Sequence, residues 1–397
     1  MERRGTADLT LALTWEKDQV RHREEWFCPG FNFWRDLFPG SLLFDLISPE
    51  VADQSSHALR PGKGLPLREE KKLVSLPWSR LRGSAPPLYP GRFYPQGILQ
   101  GVPDVFKETL RPFRCLETQP GGFSADLNPP LAGLSATLDI EIYPHPPKED
   151  TSERGGRITD WMALLMDGPG IQARYCNRPT RFFIPKAFQR ADETPDETFY
   201  ATDRMVHHLD ESARNRLAAQ YGKLLQPGDK LLDLMAGWES HLPQPLPLSE
   251  VHGLGMNANE MDANPRITHP RTADLNQDPT LPYADHEFDA VVCSLSVEYL
   301  VEPEAVFAEA ARVLKPGGVL AVAVSNRWFP EKAIGLWTDL HEFERMGLIL
   351  EYFRAGDHFQ DFTTLSQRGY PRPQDDPYFP GIPWSDPLYL VTGKTKE

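Results

Sequence analysis

Several side chains in the second half of this chain have the types and spacing to do chemistry on a bound ligand. The run Leu231-Leu232-Asp233-Leu234-Met235 carries one carboxylate, and Ala236, Gly237 and Trp238 follow it directly. A run this short and apolar reads as a strand buried on both faces, and a glycine beyond it lets a ligand approach the backbone closely. A second short run ends at Gly255, Met256 and Asn257, and Asp274-Leu275-Asn276 and Cys293-Ser294 follow later in the same pattern. Ligands of open α/β sheets bind outside strand ends of this kind. Beside them stand Tyr200, His208, Glu298, Tyr299 and Arg327. His208, Glu298 or Tyr299 could act as a general base toward a hydroxyl or amine, and a guanidinium at 327 could clamp a carboxylate through two parallel bonds.

These groups need elements to hold them. Leu217, Ala218, Tyr221, Leu224 and Leu225 recur at helical spacing, which predicts a helix from about 210 to 225 ended by Pro-Gly. Strands are expected at 230–235, at 251–256, over Phe288-Asp289-Ala290-Val291-Val292-Cys293-Ser294 and after Pro316-Gly317-Gly318. A helix spans 303–314, and DPLYLVTGKTK supplies the last strand. Alternation of this kind predicts a doubly wound α/β sheet.

In this order and spacing the segments resemble a class I S-adenosylmethionine-dependent methyltransferase of the type 11-like subset, over about 195–395. The Asp233 strand end, the FDAVVC strand and Arg312-Val313-Leu314-Lys315-Pro316-Gly317-Gly318 carry the resemblance. It implies a Rossmann-like sheet with S-adenosylmethionine as cofactor. Asp233, Ala236 and Gly237 would contact the methionine part. Gly255 stands where most relatives have a ribose-binding acid, which leaves Asn257, beside Met256, as the candidate for ribose or adenine. Asp274, Leu275 and Asn276 match the adenine edge, and Cys293 and Ser294 lie where the fourth strand meets the cofactor. Trp238 and Glu239 replace residues that are more often small. Trp238 either packs the loop against a following helix or walls the ligand pocket. Tyr200, Arg204, His207, His208 and Asp210 would lie on a lid, and Lys332 and Trp337 would begin a helix closing over the pocket. The expected acceptor is a small molecule, with a thiol or other soft nucleophile suiting the thin acid-base equipment.

The first half reads as mostly β. Strands are expected at 8–16 and 72–77, with short ones near 98–100 and 111–117, while Thr137 to Ile142 alternate cleanly. Asp126, Asn128, Pro130, Leu131, Ala132 and Gly133 match a segment of the SlyD-like branch of the FKBP-type peptidyl-prolyl isomerases, with Pro129 in place of the usual histidine. The resemblance covers roughly 70–145 and implies an inserted flap domain returning into the last long strand. Tyr94, Phe106 and Phe113 could line an isomerase cleft; otherwise the module encloses substrate, dimerises or docks a protein partner. The expected division is an FKBP/SlyD-like β-rich domain over 1–150, a linker with a short helical segment over 151–195, and the methyltransferase domain over 196–397.

Composition sets outer bounds. A chain of 397 residues suits two domains, and a formal charge of −14 disfavours nucleic acid as a partner. The 39 prolines predict many turns and irregular loops. Cys28, Cys115, Cys176 and Cys293 are too scattered for a disulfide framework, and no apolar run is long enough to span a membrane, so the expected location is cytoplasmic. No four-ligand metal pattern is readable, so the expectation is no metal. Two other functions fit the same residues: an isomerase or chaperone-like module with a non-catalytic methyltransferase half, or a protein methyltransferase whose front domain holds its target.

Overall fold

The computed structural model describes residues 5–47, 53–146 and 158–397. The chain forms two compact units, Met1–Ile184 and Pro185–Glu397.

In the first unit, β1 (Thr6–Lys17) and β2 (Val20–Asn32) form a long antiparallel hairpin; Leu9, Leu11 and Leu13 of β1 point to the core at the two-residue period of a strand. After α1 (Leu42–Leu46) come β3 (Gln54–Pro61) and the short β4 (Gly64–Leu65). The chain then leaves for a separate antiparallel sheet, ordered β5 (Leu73–Pro77), β8 (Gly122–Asp126), β7 (Pro112–Gln119) and β6 (Phe93–Pro95). It returns through Asp126–Gly133 into β9 (Ala136–Pro144), which lies between β1 and β3.

Three expectations need correction here. Residues 98–100 make no strand: Gln96–Ile98 is a 3-10 turn, and Leu99 forms only a bridge to Leu81. The stretch after 151 is more than a connector. Helix α2 (Trp161–Met166) buries Trp161, Met162 and Leu165 in the first core, Gln172 bonds Glu24 at 2.9 Å, and Arg114 bonds the Ala173 carbonyl at 2.6 Å. The aromatic trio lines no common cleft: Tyr94 and Phe113 sit in the core of the smaller sheet, and Phe106 is exposed. Part of the proposed linker, 147–157, lies outside the described residues.

The second unit is one mixed sheet, ordered β12 (His269–Thr272), β11 (Glu250–Gly255), β10 (Lys230–Leu234), β13 (Phe288–Ser294), β14 (Leu314–Val324), β16 (Leu388–Thr395) and β15 (Phe359–Arg368). The first five strands run parallel, and β16 is antiparallel to both β14 and β15. After the short α3 (Asp196–Tyr200), helix α4 (Glu211–Leu224) sets Ala213, Leu217 and Tyr221 against Leu231, Ala290, Val292 and Ala321. The short α5 (Ala258–Ala263) links β11 to β12, and α6 (Pro303–Val313), opening on a proline at its first turn, packs on β14. Between β14 and β15 lie α7 (Gly335–Asp339) and the buried α8 (Glu342–Arg354). Burial on both faces explains why the central strands carry continuous apolar runs. Strands β12 and β15 lacked such runs: every residue of β12 is exposed, and β15 is FQDFTTLSQR.

Candidate active site

The carboxyl ends of the parallel strands enclose a cavity of about 810 Å³. Its floor is built by close approach of strand exits. The Ala236 amide bonds the Leu254 carbonyl at 2.8 Å, and the Ala273 amide bonds the Gly255 carbonyl at 3.0 Å. A Cβ on Gly255 would stand 2.1 Å from the Ala236 carbonyl oxygen, so only glycine fits there. Met235 turns the chain with φ 60°, a left-handed conformation rare for a side chain of this size. No helix follows: residues 235–249 run as loop.

Tyr200, His208, Tyr299, Arg327, Ala236, Gly237, Trp238, Gly255, Met256, Asn257, Asp274, Leu275, Asn276 and Ser294 all line this cavity. Asp233, Cys293 and Glu298 do not. Asp233 is 2% exposed and lies behind the loop, where it takes a hydrogen bond from the Ser240 side chain. Asn264 in turn donates to Ser240 Oγ at 2.8 Å and to the Gly237 carbonyl at 2.9 Å. The carboxyl therefore positions the loop rather than facing a ligand. Burial pushes it up to about 7, against the Ser240 bond. Burial likewise raises the Cys293 thiol and pushes Glu298 up to about 7; Glu298 is 1% exposed, which removes it as an acceptor-facing base.

Other expected ligand groups are already engaged. Asn257 caps α5 by accepting from the Glu260 amide at 3.1 Å, and its amide donates to the Tyr200 carbonyl at 3.0 Å and to Asp203 at 2.9 Å. Asn276 bonds Asp196 at 2.8 Å, the Tyr299 carbonyl at 2.9 Å and the Val301 amide at 2.9 Å. Asp274 accepts from the Asn276 amide and from Gln277. The Tyr299 hydroxyl accepts from the Phe329 amide at 2.9 Å, and Ser294 shares a 2.7 Å bond with Tyr221. Lys332 is fully buried among Thr194, Asp192 and Asp196, and Trp337 is core, so neither closes over the cavity.

Residues 200–208, where a lid is expected, border the cavity. Trp238 lines the cavity and donates its indole N–H to the Val206 carbonyl at 2.9 Å, with its ring 4.6 Å from that of His207. His207 meets Glu239 at 2.8 Å, and Arg214 meets the same carboxylate at 3.2 Å. Asp210 caps α4 and accepts from Ser385 and the Asp386 amide. Burial pushes its carboxyl upward, but these bonds and the Arg372 charge bring it below the ordinary carboxylate range. Residues 369–387 thereby form a strap on the cavity wall.

Two residues were missed. Glu260 reaches the cavity from α5; its Oε1 accepts the Arg204 amide at 2.7 Å, and its Oε2 lies 3.2 Å from where a Gly237 Cβ would be. Its signal was an acid five residues beyond Gly255, in the first turn of α5. His241, in the Ser240-His241 pair of the glycine loop, also lines the cavity, and burial lowers it to about 4, so it is neutral. Burial, and then the Arg327 charge, lower His208 too. Away from the cavity, Glu250, His252 and His269 bring one donor atom each within 4.8 Å of one another. Pairing of β11 with β12 sets the two histidines side by side, and Glu250 is held by Lys230 at 2.8 Å.

Residues 242–322 match a family model described as a methyltransferase domain. The demethylmenaquinone methyltransferase of Corynebacterium urealyticum is 38% identical over 101 residues, which cover 25% of this chain and 43% of its own. That of Renibacterium salmoninarum is 36% identical over 99 residues, 24% of this chain and 41% of its own. The chain thus spans less than half the length of these curated relatives. A solved methyltransferase from Aquifex aeolicus covers 47% of this chain and 91% of its own at 15% identity, with a TM-score of 0.31.

Asp233 generates a pH prediction. Its folded value of about 7 lies above the ordinary 3.8, so between these the folded state holds a proton that the unfolded chain releases. Wild-type stability should fall as pH rises through this window, while Asp233→Asn should not lose that share. In urea titrations of the full chain, the advantage of the Asn variant should grow from pH 4 to 7 by a few kcal/mol at most, at roughly 1.4 kcal/mol per unit. Parallel curves would refute the assignment. Trp238→Phe keeps a ring but loses the donor, and should make the 200–208 segment several-fold more sensitive to limited proteolysis; unchanged cleavage would show that the tether does not hold it. The span that matches the methyltransferase-domain model, residues 242–322, runs from the loop after β10 into β14 of the mixed α/β sheet.

Proposed function

We propose that the second unit transfers the methyl group of S-adenosylmethionine to a small-molecule acceptor in this cavity. The observation that carries the reading is the set of strand exits around one cavity of about 810 Å³, with a glycine loop and an acidic side chain brought together at its floor. Binding sites for small ligands span roughly 300–1,000 Å³, so this one suits a cofactor with a modest acceptor. The relatives' names, demethylmenaquinone methyltransferase, also describe a small-molecule acceptor.

The residues fit the cofactor. Gly237 leaves its backbone open beside the Glu260 carboxylate, which would take the ribose hydroxyls in place of the acid missing at Gly255. Leu275 would flank the adenine, and the backbone at Ala236 and Gly237 would receive the methionine part. When bound, S-adenosylmethionine supplies a methyl group already activated on a sulfonium sulfur. The protein then has to align the acceptor, exclude water and take up a proton. Trp238 and the 200–208 lid keep water out, and Tyr299 and Phe329 wall the acceptor side. His208, which burial and the Arg327 charge lower, would receive the proton that a protic acceptor gives up on methylation. A thiol acceptor asks least of that base.

For the first unit we propose an FKBP/SlyD-like module used for docking a protein or a second copy of the chain. The support is its topology, in which a four-stranded sheet is inserted before the last long strand β9.

Calorimetric titration of the full chain with S-adenosylmethionine should give a dissociation constant in the micromolar range, and Glu260→Gln should weaken it about tenfold. No heat of binding up to high micromolar concentration would overturn the function. Once an acceptor is in hand, the acid limb of kcat/KM should fall below pH 6.5, because the lowered His208 must be deprotonated to act. That limb should vanish in His208→Gln; an unchanged limb would assign the proton elsewhere.

A further inference from the structure

We infer that the methyl acceptor is an anionic aromatic compound, its carboxylate or other planar anion held by Arg327 and its ring set against Phe329 and Tyr378. This rests on the methyl-transfer reading of the cavity and adds the class of molecule that receives the group.

Four arginines line the cavity. Arg204 donates to the Thr202 and Phe199 carbonyls at 3.0 and 2.9 Å, Arg214 to Glu239 at 3.2 Å, and Arg372 to Asp386 at 2.6 Å and Asp376 at 3.1 Å. Arg327 differs. Its nearest carboxylate oxygen, Asp386 Oδ1, is 3.8 Å away, too far for a hydrogen bond, and already receives the Arg372 guanidinium. The other Asp386 oxygen receives the Asp210 amide at 2.9 Å. Both oxygens of Asp386 are therefore spent on other donors, and the Arg327 fork of N–H groups keeps capacity to bind.

Its surroundings narrow the ligand. Arg327 lies three residues beyond the end of β14, and its guanidinium lies over the Tyr378 ring at 4.6 Å. Phe329, two residues on, meets Tyr299 at 6.0 Å, Phe199 at 5.6 Å and His208 at 5.5 Å between ring centroids. A single rigid fork among aromatic faces recognises a flat anion attached to a ring. The Arg327 charge also acts on His208, so neutralising it with a bound anion should raise that imidazole and strengthen it as a proton acceptor.

The test is equilibrium binding of 2-naphthoate and of neutral 2-naphthamide to the full chain saturated with S-adenosylhomocysteine. Wild type should prefer the naphthoate at least tenfold. Arg327→Gln should weaken naphthoate about ten- to a hundredfold and leave naphthamide nearly unchanged. Equal affinity for the two compounds, no naphthoate binding up to millimolar concentration, or an unchanged naphthoate affinity in Arg327→Gln would each overturn the inference. Affinity for S-adenosylhomocysteine, measured on every protein, reports the fold of the variant. If Arg327→Gln does not fold, the naphthoate preference of wild type and its reduction in Arg327→Lys carry the test. Naphthoate binding through Arg327 in a chain that ignores S-adenosylhomocysteine would refute methyl transfer and leave the anion site standing.

Discussion

The candidate site depends on one close approach, between the backbone at Gly255 and the carbonyl of Ala236. Any side chain at 255 would collide with that oxygen at 2.1 Å, so the exit of β11 has no room for an acidic residue. The carboxylate comes instead from Glu260, on the helix that begins after Asn257. The same geometry explains Asn257: as cap of α5 it spends its carbonyl on the Glu260 amide, and its two N–H groups hold the start of the lid. One steric constraint thus excludes a side chain at 255, while Glu260 brings a carboxylate to the cavity and the asparagine serves as a fastener.

From that floor the enclosure extends outward through hydrogen bonds. Arg204 donates its amide to Glu260, Val206 accepts from Trp238, and His207 meets Glu239, so the 200–208 segment is bound both to the loop after β10 and to α5. The Asp210, Ser385, Asp386 and Arg372 cluster then fixes the 369–387 strap to the start of α4. Buried bonds to charged groups are stronger than neutral ones and costly to break singly, which suits elements that must hold a cavity shut to water. Arg327 stands apart in this arrangement because its neighbouring acid, Asp386, is committed to Arg372 and to the Asp210 amide.

The sheet was legible because parallel strands buried on both faces must be apolar, and Leu231–Leu234 and Phe288–Cys293 announce themselves that way. Strands β12 and β15 carry little of that signal, and the antiparallel pairing of β16 depends on β15. In the site, the spacing of Gly237, Gly255 and Leu275 found the cavity floor. What stayed hidden were partners distant in the chain: nothing near Asn276 tells of Asp196, and nothing near Asp233 says that its carboxyl would turn behind the loop toward Ser240. Glu298 looked available because it follows a strand end, but a 3-10 turn at Val297–Tyr299 puts it in the interior. In the first unit, the clean alternation of Thr137–Ile142 fixed β9, whereas β2, with REEWFCPG in its middle, shows no comparable period.

In the proposed function, S-adenosylmethionine, loop and lid form one enclosure around Glu260 and Gly237. Hydrogen exchange with and without S-adenosylhomocysteine tests it most directly. Amides in 200–208, 235–241 and 255–260 should slow together on addition of the ligand. Slowing confined to other strands, or to one of these segments alone, would contradict it.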